Sequence, residues 1–141
     1  MSNPFAGTWT YRSFLNNPEP VGDDPTKLEA LLFAEGVLTV QDAAPTVFKA
    51  ELSFGPGNIM ELNGVITPAE GRHTAHAHIV GAGQPGGPLA DYFYDYDGSL
   101  TEEWPNSVNQ VPAITGSVIR ARPHGSEPAG VVASFVAVKA K

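Results

Sequence analysis

Glycine and proline interrupt this chain at fairly regular intervals and divide it into short apolar segments. There are 15 glycines and 13 prolines among 141 residues, and neither type gathers into a low-complexity tract. Short apolar segments separated by turn residues are typical of an all-β sandwich or barrel. A chain of this length can build its own hydrophobic core, so we expect residues 1–141 to form a single β-barrel domain.

Segment 46–54 shows the clearest alternation of apolar and polar side chains. Phe48, Ala50, Leu52 and Phe54 share one face, and the opposite face carries the charged side chains of the segment. Because successive side chains of a strand point to opposite faces, this pattern predicts a strand with one buried and one solvated face.

The first predicted strand is rich in threonine and aromatic residues, which favour β structure. The same two-residue period applies to it. We therefore expect Trp9 and Tyr11 to face the interior, and Thr10 and Arg12 to face outward.

The remaining segments between turns also read as strands. Asp24-Pro25 is a helix-start signal, so we expect one helical turn before the second strand. Asn63-Gly64 is interpreted as a bulge and Asp97-Gly98 as a hairpin turn. The predicted strands cover residues 7–14, 37–41, 46–54, 58–66, 72–80, 89–96, 99–104, 113–122 and 131–139.

About nine short strands with so little helix must either form a sandwich or close on themselves. Closure removes exposed strand edges, and strands that follow each other in sequence usually pair as neighbours. The predicted fold is therefore an all-β, antiparallel closed barrel of eight to nine strands with at most one short helix.

The first strand opens with Gly7-Thr8-Trp9, which resembles the Gly-x-Trp signature of the calycin superfamily, the lipocalins, fatty-acid-binding proteins and avidins. A basic residue in a late strand, Arg120 or Arg122, is similar to the lipocalin arginine that packs over the signature tryptophan. Segment 133–139 is similar in character to the last strand of avidin-like proteins. The resemblance covers both ends of the chain. It implies a calycin-like barrel whose floor is closed by Trp9 together with Arg120.

The formal net charge of −7 opposes binding to nucleic acid or to an anionic membrane surface. The chain has no cysteine, which excludes disulfides and thiolate metal ligands. Its first residues have neither a basic start nor an apolar run, so we expect no signal peptide. We expect a cytoplasmic domain whose partner is a small molecule, with no membrane contact, and a homodimer stays open.

Tyr92, Tyr94 and Tyr96 recur at every second position of one predicted strand, opposite Asp91 and Asp95. This arrangement favours tyrosines that point inward. Inside a barrel, three phenols provide apolar walls with hydroxyl groups, which suits a small-molecule pocket. The same spacing also fits a cross-strand packing ladder, so both interpretations remain open.

Three of the four histidines cluster at His73, His76 and His78. His76 and His78 share one face of their predicted strand, where such a pair can bind a metal. Either one can instead line the cavity as a hydrogen-bond donor or general base, or occupy an ordinary outer face. Segment 79–83 has no carboxylate to complete a metal site, so we predict no metal.

Segment 81–86 matches Gly-x-Gly-x-x-Gly, the pattern of a dinucleotide-binding loop. That function requires a helix to begin there, and Pro85 and Pro88 prevent one. We therefore interpret this segment as a flexible loop and predict no cofactor. Trp104 precedes another long predicted loop, where it either covers the cavity mouth or seals the core.

The first functional hypothesis is binding of a small, mostly apolar molecule inside a lipocalin-like barrel. The alternative is a cofactor-independent isomerase or cyclase whose catalytic candidates are His76, His78 and Tyr94. A second alternative is a structural or interaction domain with a barrel filled by side chains. The predicted ligand-binding residues are Tyr11, His76, His78, Tyr92, Tyr94 and Trp104.

Overall fold

Eight antiparallel strands close into a barrel in the computed structural model, which describes residues 3–140. Two short 3₁₀ turns, Glu19–Val21 and Leu28–Leu31, lie in the connection between the first two strands. This arrangement confirms the predicted all-β fold and the closed antiparallel barrel. The strands are β1 (Gly7–Leu15), β2 (Leu32–Val40), β3 (Val47–Ser53), β4 (Ile59–Thr67), β5 (His76–Gly83), β6 (Phe93–Leu100), β7 (Ala113–Arg120) and β8 (Val132–Lys139).

Each strand pairs with the next one along the chain, and β1 also pairs with β8 to close the barrel. The pairing of Trp9 with Lys139 lies at one end, which we call the Trp9 end. The last residue of β7 lies at the other end, which we call the Arg120 end. The register therefore separates two residues that the sequence resemblance placed together.

The inner and outer faces of β1 follow the expected alternation. Trp9 and Tyr11 are buried, whereas Thr10 and Arg12 are exposed. The same alternation holds in β3, where Phe48 and the inward residues after it belong to the core. These strands confirm that a two-residue apolar period identifies the barrel interior.

The predicted bulge at Asn63-Gly64 and the predicted hairpin turn at Asp97-Gly98 are wrong, because both glycines lie inside continuous strands. Gly64 belongs to β4, which pairs without interruption with β3 and β5, so there is no bulge there. Gly98 lies within β6 and pairs with Gly116. Both glycines point inward, where a β-carbon would overlap the rings of Phe48 and Phe135. Their function is to leave room for aromatic side chains, which explains why turn statistics mislead here.

The predicted return strand 99–104 is also wrong. Strand β6 continues to Leu100, and residues 101–112 form the connection to β7. The barrel therefore has eight strands, the lower of the two predicted numbers.

The segment that precedes β1 packs against Trp9 at the Trp9 end. Trp9 is fully buried, and its Nε1 donates a hydrogen bond to the carbonyl of Phe5 at 2.9 Å. Lys139 lies over the indole, with Nζ 5.1 Å from the ring centroid, and donates to the carbonyl of Ala6 at 2.6 Å. The expected pairing of Trp9 with Arg120 is therefore wrong, and Lys139 supplies the cation instead.

Candidate ligand-binding site

The barrel interior contains a cavity of about 590 Å³ at the Arg120 end. Its deepest part is formed by Tyr11 and Tyr96, which belong to an aromatic layer with Phe135. The rings of Tyr11 and Phe135 stack with centroids 5.5 Å apart, and Tyr96 meets Tyr11 edge to face at 6.4 Å. This layer separates the cavity from the filled half of the barrel.

Apolar side chains from several elements form the walls. They come from the start of β2, the residue after β3, the start of β4, and the connection between β5 and β6. Such walls suit an apolar ligand body, because most of a ligand's buried surface contacts hydrophobic groups. The apolar wall residues are Phe33, Ala34, Phe54, Met60 and Leu89.

Three polar side chains converge on one wall of this cavity. Arg120 Nε donates a hydrogen bond to the hydroxyl of Tyr94 at 2.9 Å. The same hydroxyl lies 3.1 Å from Nε2 of His124. Arg120 and Tyr94 are inward residues of neighbouring strands, and they are paired in the β6–β7 register. A hydroxyl, an imidazole and a guanidinium therefore meet at a single position beside apolar walls.

The connection between β7 and β8 brings His124 and Glu127 to this position. The two residues exchange backbone hydrogen bonds of 3.1 and 2.9 Å, which makes a tight turn between them. Gly125 occupies this turn with φ +57°, a conformation that glycine adopts without strain. The imidazole of His124 stacks on Tyr92 with ring centroids 3.7 Å apart. The turn therefore places both residues beside the cavity, and stacking on Tyr92 holds the His124 ring there.

Burial keeps the phenols of the cavity protonated. It raises the pKa of Tyr94 above the ordinary value of 10.0, although the hydrogen bond from Arg120 acts in the opposite direction. Burial also raises the pKa of Tyr11 and that of Tyr96 above this value. At neutral pH each of these hydroxyls therefore carries its proton and can donate it to a ligand oxygen.

The histidines of β5 do not line the cavity, which corrects the expectation for His76 and His78. The inward positions of β5 are taken by Ala77 and Ile79, so the alternation turns both histidines outward. Their side chains are 41% and 61% exposed, which leaves them on the outer surface. Of the four histidines, His124 alone lines the cavity.

The outward histidines form a polar cluster on the barrel surface. His76 contacts the carboxylate of Asp97 through Nε2 and the hydroxyl of Ser99 through Nδ1, the latter at 2.8 Å. His78 lies 3.9 Å from the same carboxylate. Within residues 3–140, no group of three or more histidine and carboxylate side chains is arranged to hold a metal ion.

Trp104 also lies away from the cavity, so it neither covers the mouth nor seals the core. Its side chain is 67% exposed, and its connection joins β6 and β7 at the Trp9 end. Of the six predicted ligand-binding residues, the structure brings three together around the cavity. These three are Tyr11, Tyr92 and Tyr94.

The predicted set lacks several cavity residues because their signals are not local. His124 and Glu127 lie in an irregular loop, and nothing in that segment shows which barrel end it reaches. Phe33 lies near a strand end, where alternation no longer assigns a face. Alternation does place Phe54 on the buried face of its segment, but a face alone does not show that the residue borders a cavity. The local sequence offers one signal for the β7–β8 connection: the dipeptide His124-Gly125 marks a turn after the strand that carries Arg120.

Comparisons with models of protein families, with curated protein sequences and with solved structures gave no match to this chain. The class that the fold and the site define is a closed eight-stranded antiparallel barrel with a cavity at one end. This architecture is consistent with a calycin-like fold. No helix within residues 3–140 is long and apolar enough to cross a bilayer.

Proposed function

We propose that this protein binds a small, mostly apolar molecule in the cavity at the Arg120 end of the barrel. The observation that carries the proposal is the combination of an internal cavity of about 590 Å³ with converging polar groups on one wall. Small-molecule sites typically combine apolar walls with a few well-placed polar groups that orient the ligand.

The contrast within the barrel supports this site over other surfaces. A filled barrel needs side chains throughout its interior, and here the aromatic layer of Tyr11, Tyr96 and Phe135 fills only up to the cavity. Beyond it the interior is hollow, as in barrels that hold a small ligand. A structural domain with a filled barrel is therefore the weaker proposal.

The isomerase or cyclase alternative loses its original histidines, because His76 and His78 project outward. Its remaining support is the contact between Tyr94 and His124, which places a proton donor and an imidazole beside the cavity. Binding requires only the space and the polar groups already described, so we propose binding as the function.

The test is a fluorescence titration with N-phenyl-1-naphthylamine, a neutral dye that brightens in apolar surroundings. We expect saturable binding to the unmodified protein. Ala34→Phe places a ring in the cavity and should weaken binding by about tenfold or more, since steric exclusion removes the apolar contacts.

The matched control is Ala43→Phe, which adds the same ring at an exposed position in the connection between β2 and β3. This variant should bind the dye as the unmodified protein does. Equal binding by all three proteins, or no binding by any of them, would overturn the proposal.

A further inference from the structure

Arg120 is a nearly buried cation, because its side chain is only 5% exposed. Two of its polar contacts are neutral, the hydroxyl of Tyr94 and the carbonyl of Pro128, at 2.9 and 3.0 Å. The guanidinium also lies 5.5 Å from the ring centroid of Phe33. A buried charge costs free energy unless an opposite charge compensates it, so the fold must supply Arg120 with an anionic partner.

The anionic partner of Arg120 is Glu127, and the contact between them is loose. Their closest atoms, Nη1 and Oε2, are 3.8 Å apart, whereas charge-assisted hydrogen bonds measure about 2.7–2.9 Å. The Glu127 side chain is 59% exposed and belongs to the turn at the cavity mouth. Glu127 therefore keeps much of its hydration and compensates the guanidinium only in part.

The position of Glu127 makes it an easily exchanged partner. It lines the cavity together with Arg120, so an incoming anion would approach the same guanidinium from inside the barrel. Moving an exposed glutamate side chain into water needs no change in the strands. A ligand anion that reached Arg120 at hydrogen-bonding distance would gain a closer contact than Glu127 makes.

The neighbouring groups also suit an anion. The protonated hydroxyl of Tyr94 is in contact with Arg120 and can donate to a ligand oxygen. The other carboxylate that lines the cavity, Glu35, lies 3.5 Å from Arg12 on the outer surface. A cationic ligand would be repelled by the Arg120 guanidinium, because neither carboxylate of the cavity lining forms a close ion pair with it.

Building on the proposed function, we propose that the ligand is an amphipathic carboxylate whose carboxylate replaces Glu127 on Arg120. Its apolar body lies along the walls that include Phe33 and Leu89. Glu127 acts as an internal competitor that occupies the anion position when the cavity holds no ligand.

The experiment compares octanoate with octan-1-ol by isothermal titration calorimetry. The two probes share an apolar chain and differ in charge. The unmodified protein should bind octanoate about tenfold tighter than octan-1-ol, because hydrogen bonds between charged groups are stronger than neutral ones. Arg120→Met should remove this preference while keeping octan-1-ol binding.

Glu127→Gln tests whether Glu127 competes with the ligand carboxylate for Arg120, as distinct from an effect of the overall negative charge. This variant should bind octanoate severalfold tighter and octan-1-ol unchanged, since the exposed side chain no longer competes for Arg120. Asp91→Asn is the matched control, because it removes one exposed carboxylate from the connection between β5 and β6 outside the cavity lining. It should leave both affinities unchanged.

The possible failures are distinguishable. Equal affinity of the unmodified protein for both probes would overturn the anion preference and leave the binding function standing. An equal gain in Glu127→Gln and Asp91→Asn would overturn the exchange, because the gain would then reflect overall charge. Failure of both probes to bind would overturn the inference and the proposed function together.

Discussion

The two ends of the barrel both place a cation beside aromatic rings, yet only at the Arg120 end does that cation border a cavity. At the Trp9 end, Lys139 lies over Trp9 and donates to a carbonyl of the segment that precedes β1. At the Arg120 end, Arg120 lies beside Phe33 and Tyr94 and borders the cavity. At the Trp9 end these residues pack against the segment that precedes β1, whereas at the Arg120 end they form a candidate binding site.

The largest expected effect tests the Trp9 end. Trp9→Ala should lower the free energy of unfolding by about 3–5 kcal/mol, because it removes a fully buried aromatic side chain from a filled region. Urea denaturation measures the change. The matched control is Trp104→Ala, an exposed tryptophan whose loss should change stability by less than about 0.5 kcal/mol. Similar losses for the two variants would contradict the contrast between filled and open ends.

The next largest effect concerns Gly64, whose missing side chain leaves space for the Phe48 ring. Gly64→Ala should destabilise the protein by about 1–3 kcal/mol, since the added methyl overlaps the Phe48 ring. Combining it with Phe48→Leu should cost less than the sum of the two single changes, because the smaller side chain vacates that space. Additive costs in urea denaturation would show that the two positions do not compete for the same volume.

The pH dependence sharpens the comparison at the boundary between the filled and hollow halves. Burial raises the pKa of Tyr96 above 10.0, so the folded protein holds a proton that the unfolded chain releases above that pH. The stability from this phenol is fully present below pH 10.0 and is lost as the pH rises further. Tyr96→Phe should therefore make the unfolding free energy fall less steeply as the pH rises above 10.0. Equal slopes for the two proteins would contradict the burial of this group.

The smallest effect concerns the outer histidine cluster. His76→Ala should change the unfolding free energy by no more than about 1 kcal/mol, because its contact with Asp97 is exposed to solvent. It should also leave octanoate affinity unchanged, since the side chain projects away from the cavity. A several-fold loss of octanoate affinity, measured by calorimetry, would contradict the outward position of His76 and place it in the binding site.

Much of the fold follows from the sequence because alternation and turn residues report on local structure. The strand around Phe48 and the inward face of Trp9 were assigned correctly by their two-residue period. The predictions of a bulge at Gly64 and a turn at Gly98 are wrong because they rest on backbone freedom, whereas both glycines are needed for space beside an aromatic ring. That requirement depends on the neighbouring strand and is not visible within one segment.

The candidate site is less predictable, because it depends on which loops meet at one end of the barrel. Tyr94 was found from its strand pattern, and its inward face follows from the period of β6. The partners of Tyr94 come from a separate strand and an irregular turn, and the register between β6 and β7 brings Arg120 to it. The sequence resemblance placed Arg120 beside Trp9, which the antiparallel register makes impossible.

The most direct test of a cavity at the Arg120 end is methyl NMR during titration with octanoate. Leucine and methionine methyl groups report on both halves of the interior. Met60 and Leu89 line the cavity, whereas Leu38 pairs with Trp9 in the filled half. We expect the methyl signals of Met60 and Leu89 to shift with saturation and that of Leu38 to stay in place. Shifts confined to Leu38, or no shift at Met60 and Leu89, would contradict a ligand site at this end.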